Sequence, residues 1–147
     1  RLTGLYNRHY MIEYLEALDD ESSGCLAMAD IDYFKNINDV YGHHAGDMIL
    51  VSAADALKNC EGCVTARWGG EEFLIHLPMD KEKAQEMLER LREDIASEKH
   101  EFDGKEISVT VTIGLSERLG RNADDWIKDA DSRLYDGKNS GRNRVVI

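Results

Sequence analysis

Arg67-Trp68-Gly69-Gly70-Glu71-Glu72-Phe73 joins two apolar runs, Val64 to Trp68 and Phe73 to Leu77, through paired glycines followed by paired acids. Each run reads as a short buried strand, so the stretch predicts a β-hairpin whose turn is Gly69-Gly70, where a positive φ costs a residue without Cβ little. Two carboxylates, Glu71 and Glu72, then stand at the hairpin tip. Bare glycine backbone lets the phosphates of another molecule approach closely, and acids beside phosphate call for a cation between them. The stretch therefore points to Mg²⁺ and a nucleotide, its plain alternative being a solvated acidic turn.

Upstream, Cys25-Leu26-Ala27-Met28-Ala29 is an apolar run of strand length that leads into Asp30-Ile31-Asp32. Side chains alternate along a strand, so Asp30 and Asp32 share one face while Ile31 turns to the other. Like charges so close raise each other's pKa unless a cation or hydrogen-bond donors offset them. The segment from Tyr33 to Asp47 reads as a polar loop with glycines at 42 and 46, after which Asp47 starts a helix burying Leu50, Val51, Ala54 and Leu57. Asn38, His43 and Asp47 around such a loop have the groups to read a purine edge, a carboxylate accepting guanine's two donors. Taken singly, a turn asparagine, a satisfied surface histidine and a helix-start acid are the better readings of the three.

The flanking elements follow from periodicity. Asn7 caps a first helix carrying Tyr10, Met11, Tyr14, Leu15 and Leu18, which ends across Asp19 to Gly24. Asp80 caps a charged helix from Lys81 to about His100, and Phe102-Asp103-Gly104-Lys105 makes a turn. Ile107 to Gly114 is the clearest strand, expected in the sheet interior. Asn122 to Asp125 start a last helix with Trp126, Ile127, Ala130, Leu134 and Tyr135 facing inward. Lys138, Arg142 and Arg144 collect cations near the end, before Val145-Val146-Ile147 adds an edge strand. Such a cluster suits phosphate oxygens, or complements a helix dipole. The order implies an α/β (α+β) fold, a mostly antiparallel sheet of about five strands flanked by helices.

The 147 residues make one domain, and a net charge of −11 argues against nucleic acid or an anionic membrane surface as partner. No apolar run approaches the roughly 20 residues of a membrane span, and the first residues are not a signal peptide. Three cysteines, Cys25, Cys60 and Cys63, fit a reducing cytoplasm better than a disulfide framework. Cys60-Glu61-Gly62-Cys63 has zinc or redox spacing, but a zinc site needs a second pair of ligands that Cys25 alone does not supply.

Together these segments resemble the GGDEF family, the catalytic domain of diguanylate cyclases. Leu2-Thr3-Gly4-Leu5-Tyr6-Asn7-Arg8 resembles its opening signature, Asp30 to Asp39 its metal and base segment, Gly69-Gly70-Glu71-Glu72-Phe73 its namesake in the GGEEF form, and Ala130 to Arg144 its ending. The resemblance implies a fold akin to nucleotide cyclases and polymerase palms, and condensation of two GTP to cyclic di-GMP with loss of two pyrophosphates. It implies Mg²⁺, with Mn²⁺ as an alternative, on Asp30, Glu71 and the Ile31 carbonyl. It implies Asn38, Asp47 and His43 around guanine, Phe34, Lys35, Lys138 and Arg142 around the phosphates, and Gly69-Gly70 against the α-phosphate. Glu71, or else Glu72, would favour loss of the hydroxyl proton, and Lys35 would help neutralise the leaving pyrophosphate. Since one domain presents one GTP, a twofold homodimer completes the reaction. Residues 1–147 are then a catalytic module cut from a longer signalling protein with an upstream sensory domain. A catalytically silent GTP-binding or interaction domain is the alternative that the intact acids count against.

Two departures stand out. The RxxD product-binding positions of the family fall on Cys60 and Cys63, which lack an arginine's fork and an aspartate's charge, so feedback inhibition through that site should be weak. Gly137 stands where the family usually has alanine, an exchange worth about 0.8–1.0 kcal/mol within a helix and expected to loosen Lys138.

Overall fold

The computed structural model describes residues 2–19 and 23–147. In chain order it contains α1 (Arg8–Glu16), β1 (Cys25–Ile31), α2 (Phe34–Tyr41), α3 (His43–Lys58), β2 (Val64–Arg67), β3 (Glu72–Leu77), α4 (Lys81–Ser97), β4 (His100–Phe102), β5 (Lys105–Ile107), β6 (Val111–Glu117), α5 (Ala123–Asn139) and β7 (Arg144–Val146). Five strands form one sheet in the order β2-β3-β1-β6-β7, antiparallel except for the parallel β6–β7 pair, and β4–β5 is a separate hairpin. This is the helix-flanked, mostly antiparallel architecture expected from the sequence.

Alternation along β1 explains why it lies in the middle. Ala27, Ala29 and Ile31 pack with α3 and α4 on one face, while Leu26 and Met28 meet Met11, Leu15, Trp126 and Leu134 of α1 and α5 on the other. With both faces covered, all seven β1 residues are buried. Asp30 follows Leu26 and Met28 onto the α5 face, so a carboxylate ends a strand that is otherwise apolar.

The caps act as the sequence implies. Asn7, Asp80 and Asn122 accept from the backbone N–H groups of Tyr10, Lys83 and Asp125. Several expectations are corrected. The stretch from Tyr33 to Asp47 is two helices, α2 and α3, joined at Gly42, whose φ of 93° ends one as its N–H bonds to Asn38 O and opens the next. Helix α3 therefore begins at His43, a turn before Asp47. The strand expected over Ile107 to Gly114 is two strands, because Asp32 N–H bonds to Thr110 O where the chain passes from the β4–β5 hairpin to β6. Helix α4 stops at Ser97, and Tyr135 is exposed rather than inward. The expected end of the first helix falls partly on residues 20–22, outside the described residues, and α1 itself ends at Glu16.

Gly114 sets how closely α5 lies on the sheet: a Cβ there would stand 2.3 Å from Leu134 N and 2.4 Å from Ala130 O. Backbone cannot rotate away as a flexible side chain can, so Gly114→Ala should destabilise by about 1–3 kcal/mol or more, read as a lower urea midpoint. His76, 4% exposed, pairs its Nδ1 with the Tyr14 hydroxyl at 2.8 Å, while its Nε2 has no hydrogen-bond partner among the described residues. Burial first, and the Arg118 cation second, push its pKa down from 6.5 to about 4. The neutral ring is thus the form the fold holds, and its contribution, intact above 6.5, is lost as pH falls towards about 4. Urea titrations through that window should show an acid-side loss of stability that is smaller in His76→Phe; an identical acid slope in both chains would contradict it.

Candidate active site

The two acidic segments meet because β1 and β3 are neighbours. Asp30 lies opposite Glu72 in the antiparallel register, and one step further the Ile31 N–H donates to Glu71 O at 3.2 Å. Ile31 buries its side chain in the α3/α4 core, so what it can lend to the site is backbone. Among the described residues no three His, Cys, Asp or Glu side chains are grouped closely enough to hold a metal ion by themselves.

Asp30 is 5% exposed, and its pKa is pushed up from 3.8 to about 6. Burial is the largest cause, Glu71 and Glu72 add repulsion, and Lys138 opposes all three through an ion pair with Oδ2. Lys138 belongs to the last turn of α5, where its charge also complements the helix dipole. Burial outweighs the lysine, so the Asp30 carboxyl stays above its ordinary range. Gly137 does not loosen this arrangement as its helix propensity suggests. A Cβ there would stand 2.6 Å from Thr112 Cγ2, so its absence lets the end of α5 settle onto β6 beside Asp30.

Asp32 shares the face of Asp30 but has a different task. Its carboxylate accepts from Thr110 Oγ1 and Thr112 Oγ1, both at 2.6 Å, and from Asn143 N–H at 3.0 Å. Those donors satisfy it without a metal and pin the loop after α5 to the sheet. Arg142, at φ 62° in that loop, stacks over Tyr33 at 4.6 Å and stands 4.0 Å from Asp32. The hydroxyls of Thr110 and Thr112 were not singled out from sequence; a buried acid requiring donors was the available signal.

Around Gly42, Asn38 packs on α3: a Cβ on Gly46 would stand 1.8 Å from Asn38 Oδ1 and 3.3 Å from Phe34 Cζ. Gly46 thereby brings Asn38 to the start of α3, next to exposed Asp47, with His43 exposed one turn back. Phe34 is buried, leaving its backbone N–H at the start of α2, a helix whose N-terminus no side chain caps among the described residues. Lys35 is not brought to the acids; its side chain is 91% exposed and pairs with Asp39 at 3.3 Å, a surface contact worth little.

The glycine pair differs from the expected turn. Neither Gly69 nor Gly70 has a positive φ, because four residues, Trp68 to Glu71, separate β2 from β3 and spread the reversal. The missing side chains matter for space instead: a Cβ on Gly69 would lie 2.9 Å from Glu72 Oε1, while one on Gly70 would meet nothing within 4 Å. Arg67, also not singled out from sequence, donates to Gly69 O at 3.3 Å and to Gly70 O at 2.7 Å, holding the tip. Glu72 is the first residue of β3 rather than a tip residue, and it lines a cleft of about 510 Å³ with Arg8, Trp68 and Asp131.

The chain is similar to known proteins in both sequence and fold. The family model described as "Diguanylate cyclase, GGDEF domain" matches residues 1–144. Diguanylate cyclase A of Treponema denticola is 38% identical over 99% of this chain and 43% of its own, and diguanylate cyclase DgcM of Escherichia coli is 37% identical over 99% and 37%. The chain thus spans less than half the length of these curated relatives. Among solved structures, the GGDEF domain of DgcB from Caulobacter crescentus, in complex with c-di-GMP, superposes with TM-score 0.94 at 31% identity, covering 99% of this chain and 92% of that one. Diguanylate cyclase SiaD of Pseudomonas aeruginosa, in complex with its activator SiaC, gives 0.91 at 38%, covering 99% and 59%. An acidic strand end beside a Gly-Gly-Glu-Glu hairpin, on this sheet and over this length of sequence, means that the chain belongs to the GGDEF family.

Proposed function

We propose that this chain is a diguanylate cyclase that joins two GTP molecules into cyclic di-GMP and releases two pyrophosphates. The observation that carries the reading is the junction of β1 and β3, where a buried Asp30 is set among Glu71, Glu72 and a single lysine. Such an acid-rich, oxygen-only set fits a hard divalent cation, with Asp30, Glu71 and the Ile31 carbonyl as the residues that would hold Mg²⁺ or Mn²⁺. When bound, the ion would supply charge neutralisation at the α-phosphate and lower the pKa of the attacking 3′-hydroxyl.

The chain's own groups supply the rest. Asp47 would accept from the two donors of guanine's edge, Asn38 would bond the ring beside it, and His43 would line the same pocket. The N-terminus of α2, through the N–H groups of Phe34 and Lys35, would receive phosphate oxygens, as uncapped helix starts do. Lys138 and Arg142 would turn from Asp30, Asp32 and Tyr33 to the triphosphate, and Lys35 would leave Asp39 to join them. Bare Gly69 and Gly70 would let the α-phosphate lie against backbone that Arg67 holds still. Glu71, or Glu72 in its place, would draw the proton from the hydroxyl. A second copy must present the other GTP, so a twofold dimer would complete the site, orientation being worth up to roughly 7–11 kcal/mol. Among the described residues no helix is long and apolar enough to cross a membrane, and GTP supply suits a cytoplasmic setting. A sensory domain upstream in the full protein would then control pairing of the two copies.

The purified chain, dimerised through a fused coiled coil, should convert GTP but not ATP to a cyclic dinucleotide identifiable by mass. Asp30→Asn and Glu71→Gln should each lower kcat by about 10²–10³-fold; undiminished turnover in either would refute the reading, and GTP binding without turnover in the parent dimer would make it a silent nucleotide-binding domain. Cys60 and Cys63 replace the arginine and aspartate of the RxxD site, so added cyclic di-GMP should slow the reaction only at concentrations high enough to compete with GTP. Potent noncompetitive inhibition would show that product is held elsewhere.

A further inference from the structure

The Cys60-Glu61-Gly62-Cys63 stretch has no part in the chemistry above, yet its structure is definite. After α3, the Cys63 N–H donates to Cys60 O at 3.2 Å and closes a turn directly before β2, so the two cysteines are its first and last residues. Residues so placed have Cα atoms within about 7 Å of each other. Cys60 is 9% exposed and Cys63 half-buried, in the same apolar cluster. A third sulfur stands at the turn: Met87 Sδ, on α4, lies 3.9 Å from Cys63 Sγ, which is also 3.8 Å from Glu61 O. Zinc would need two more cysteines or histidines, whereas a thioether from a distant helix suits a softer ion.

We propose that Cys60, Cys63 and Met87 form a binding site for a soft monovalent metal ion, Cu(I). Two thiolates and a thioether are the donor set that such an ion prefers, whereas zinc in structural sites takes four thiolate or imidazole ligands. Cys25 is not a candidate for a fourth, since it lies on β1, across β3 from the strand that the turn leads into. Sulfurs bound at about 2.3 Å stand roughly 3.8–4.0 Å apart around a tetrahedral or trigonal ion, and the Cys63–Met87 pair already has that separation. Loading is not a redox step: both S–H bonds break, two protons pass to solvent, two thiolates and the Met87 thioether bind Cu(I), and the site goes from neutral to a single negative charge. The ion would tie the turn leading into β2 to helix α4.

The test uses the reduced, full chain under anaerobic conditions, with Cu(I) presented in competition with a chromophoric bicinchoninate chelator. One equivalent should bind tightly with release of two protons, and copper X-ray absorption on the unsubstituted protein should show three sulfur neighbours. Cys60→Ser and Cys63→Ser should each weaken binding by more than the roughly 10–100-fold that loss of an outer-shell partner costs. Cys25→Ser should leave binding unchanged. Met87→Leu keeps the core volume, so the fold should stand while affinity falls about tenfold or more. Failure to compete with the chelator, two rather than three sulfur neighbours, or equal affinity in Met87→Leu would each overturn the site. So would a Cu(I)-inert reduced chain that loses two hydrogens in mass on treatment with glutathione disulfide, which would mark the pair as a disulfide.

Discussion

A buried carboxylate beside two further acids is the constraint around which this molecule is arranged. Desolvation alone would drive Asp30 towards its neutral form, and the charges of Glu71 and Glu72 push the same way. Lys138 answers part of that cost from the end of α5 through its ion pair with the carboxylate. Surface acids could have avoided each other at no expense. Here the sheet prevents it, since β1 is hydrogen-bonded to β3 along its length and brings Asp30 opposite Glu72 whatever their charges prefer.

Much of the remaining structure can be understood as support for that junction. Gly114 and Gly137 let α5 approach β6 closely, which sets the height from which Lys138 reaches down. Asp32, satisfied by two threonine hydroxyls and a backbone N–H, anchors the loop that carries Arg142. Arg67 fastens the hairpin from below through the carbonyls of both glycines. These contacts use ordinary hydrogen bonds and close packing, yet they hold cations and bare backbone around one carboxylate. Preorganisation of this kind is what makes charge stabilisation effective in a partly dry site.

The fold was legible where one periodicity dominated. The alternation of β1, the hairpin strands and the capped helices α1, α4 and α5 follow from local pattern, and the pairing of Asp30 with the hairpin acids follows from family motifs read in order. What escaped the sequence depended on contacts distant along the chain. Gly42 could be seen as a breaker, but that helices stand on both sides of it required the packing of Asn38 and Phe34 over Gly46. Asp30 and Asp32 look equivalent as alternate residues of one strand, and the structure separates an acid held by two threonine hydroxyls from one paired with a lysine. Gly137 likewise reads as a weak point in a helix until Thr112 is found against it. Met87 is an unremarked core residue until the turn before β2 brings Cys63 to its sulfur.

The account stands on the claim that Asp30 and Glu71 grip one divalent cation against a purine triphosphate. A crystal structure of the chain with Mn²⁺ and a non-hydrolysable GTP analogue, phased to reveal the metal by its anomalous signal, tests this most directly. The account requires a peak bonded to carboxylate oxygens of both Asp30 and Glu71, with Lys138 moved from Asp30 to the phosphates. A metal held by the triphosphate alone, with Lys138 still on Asp30, would contradict it.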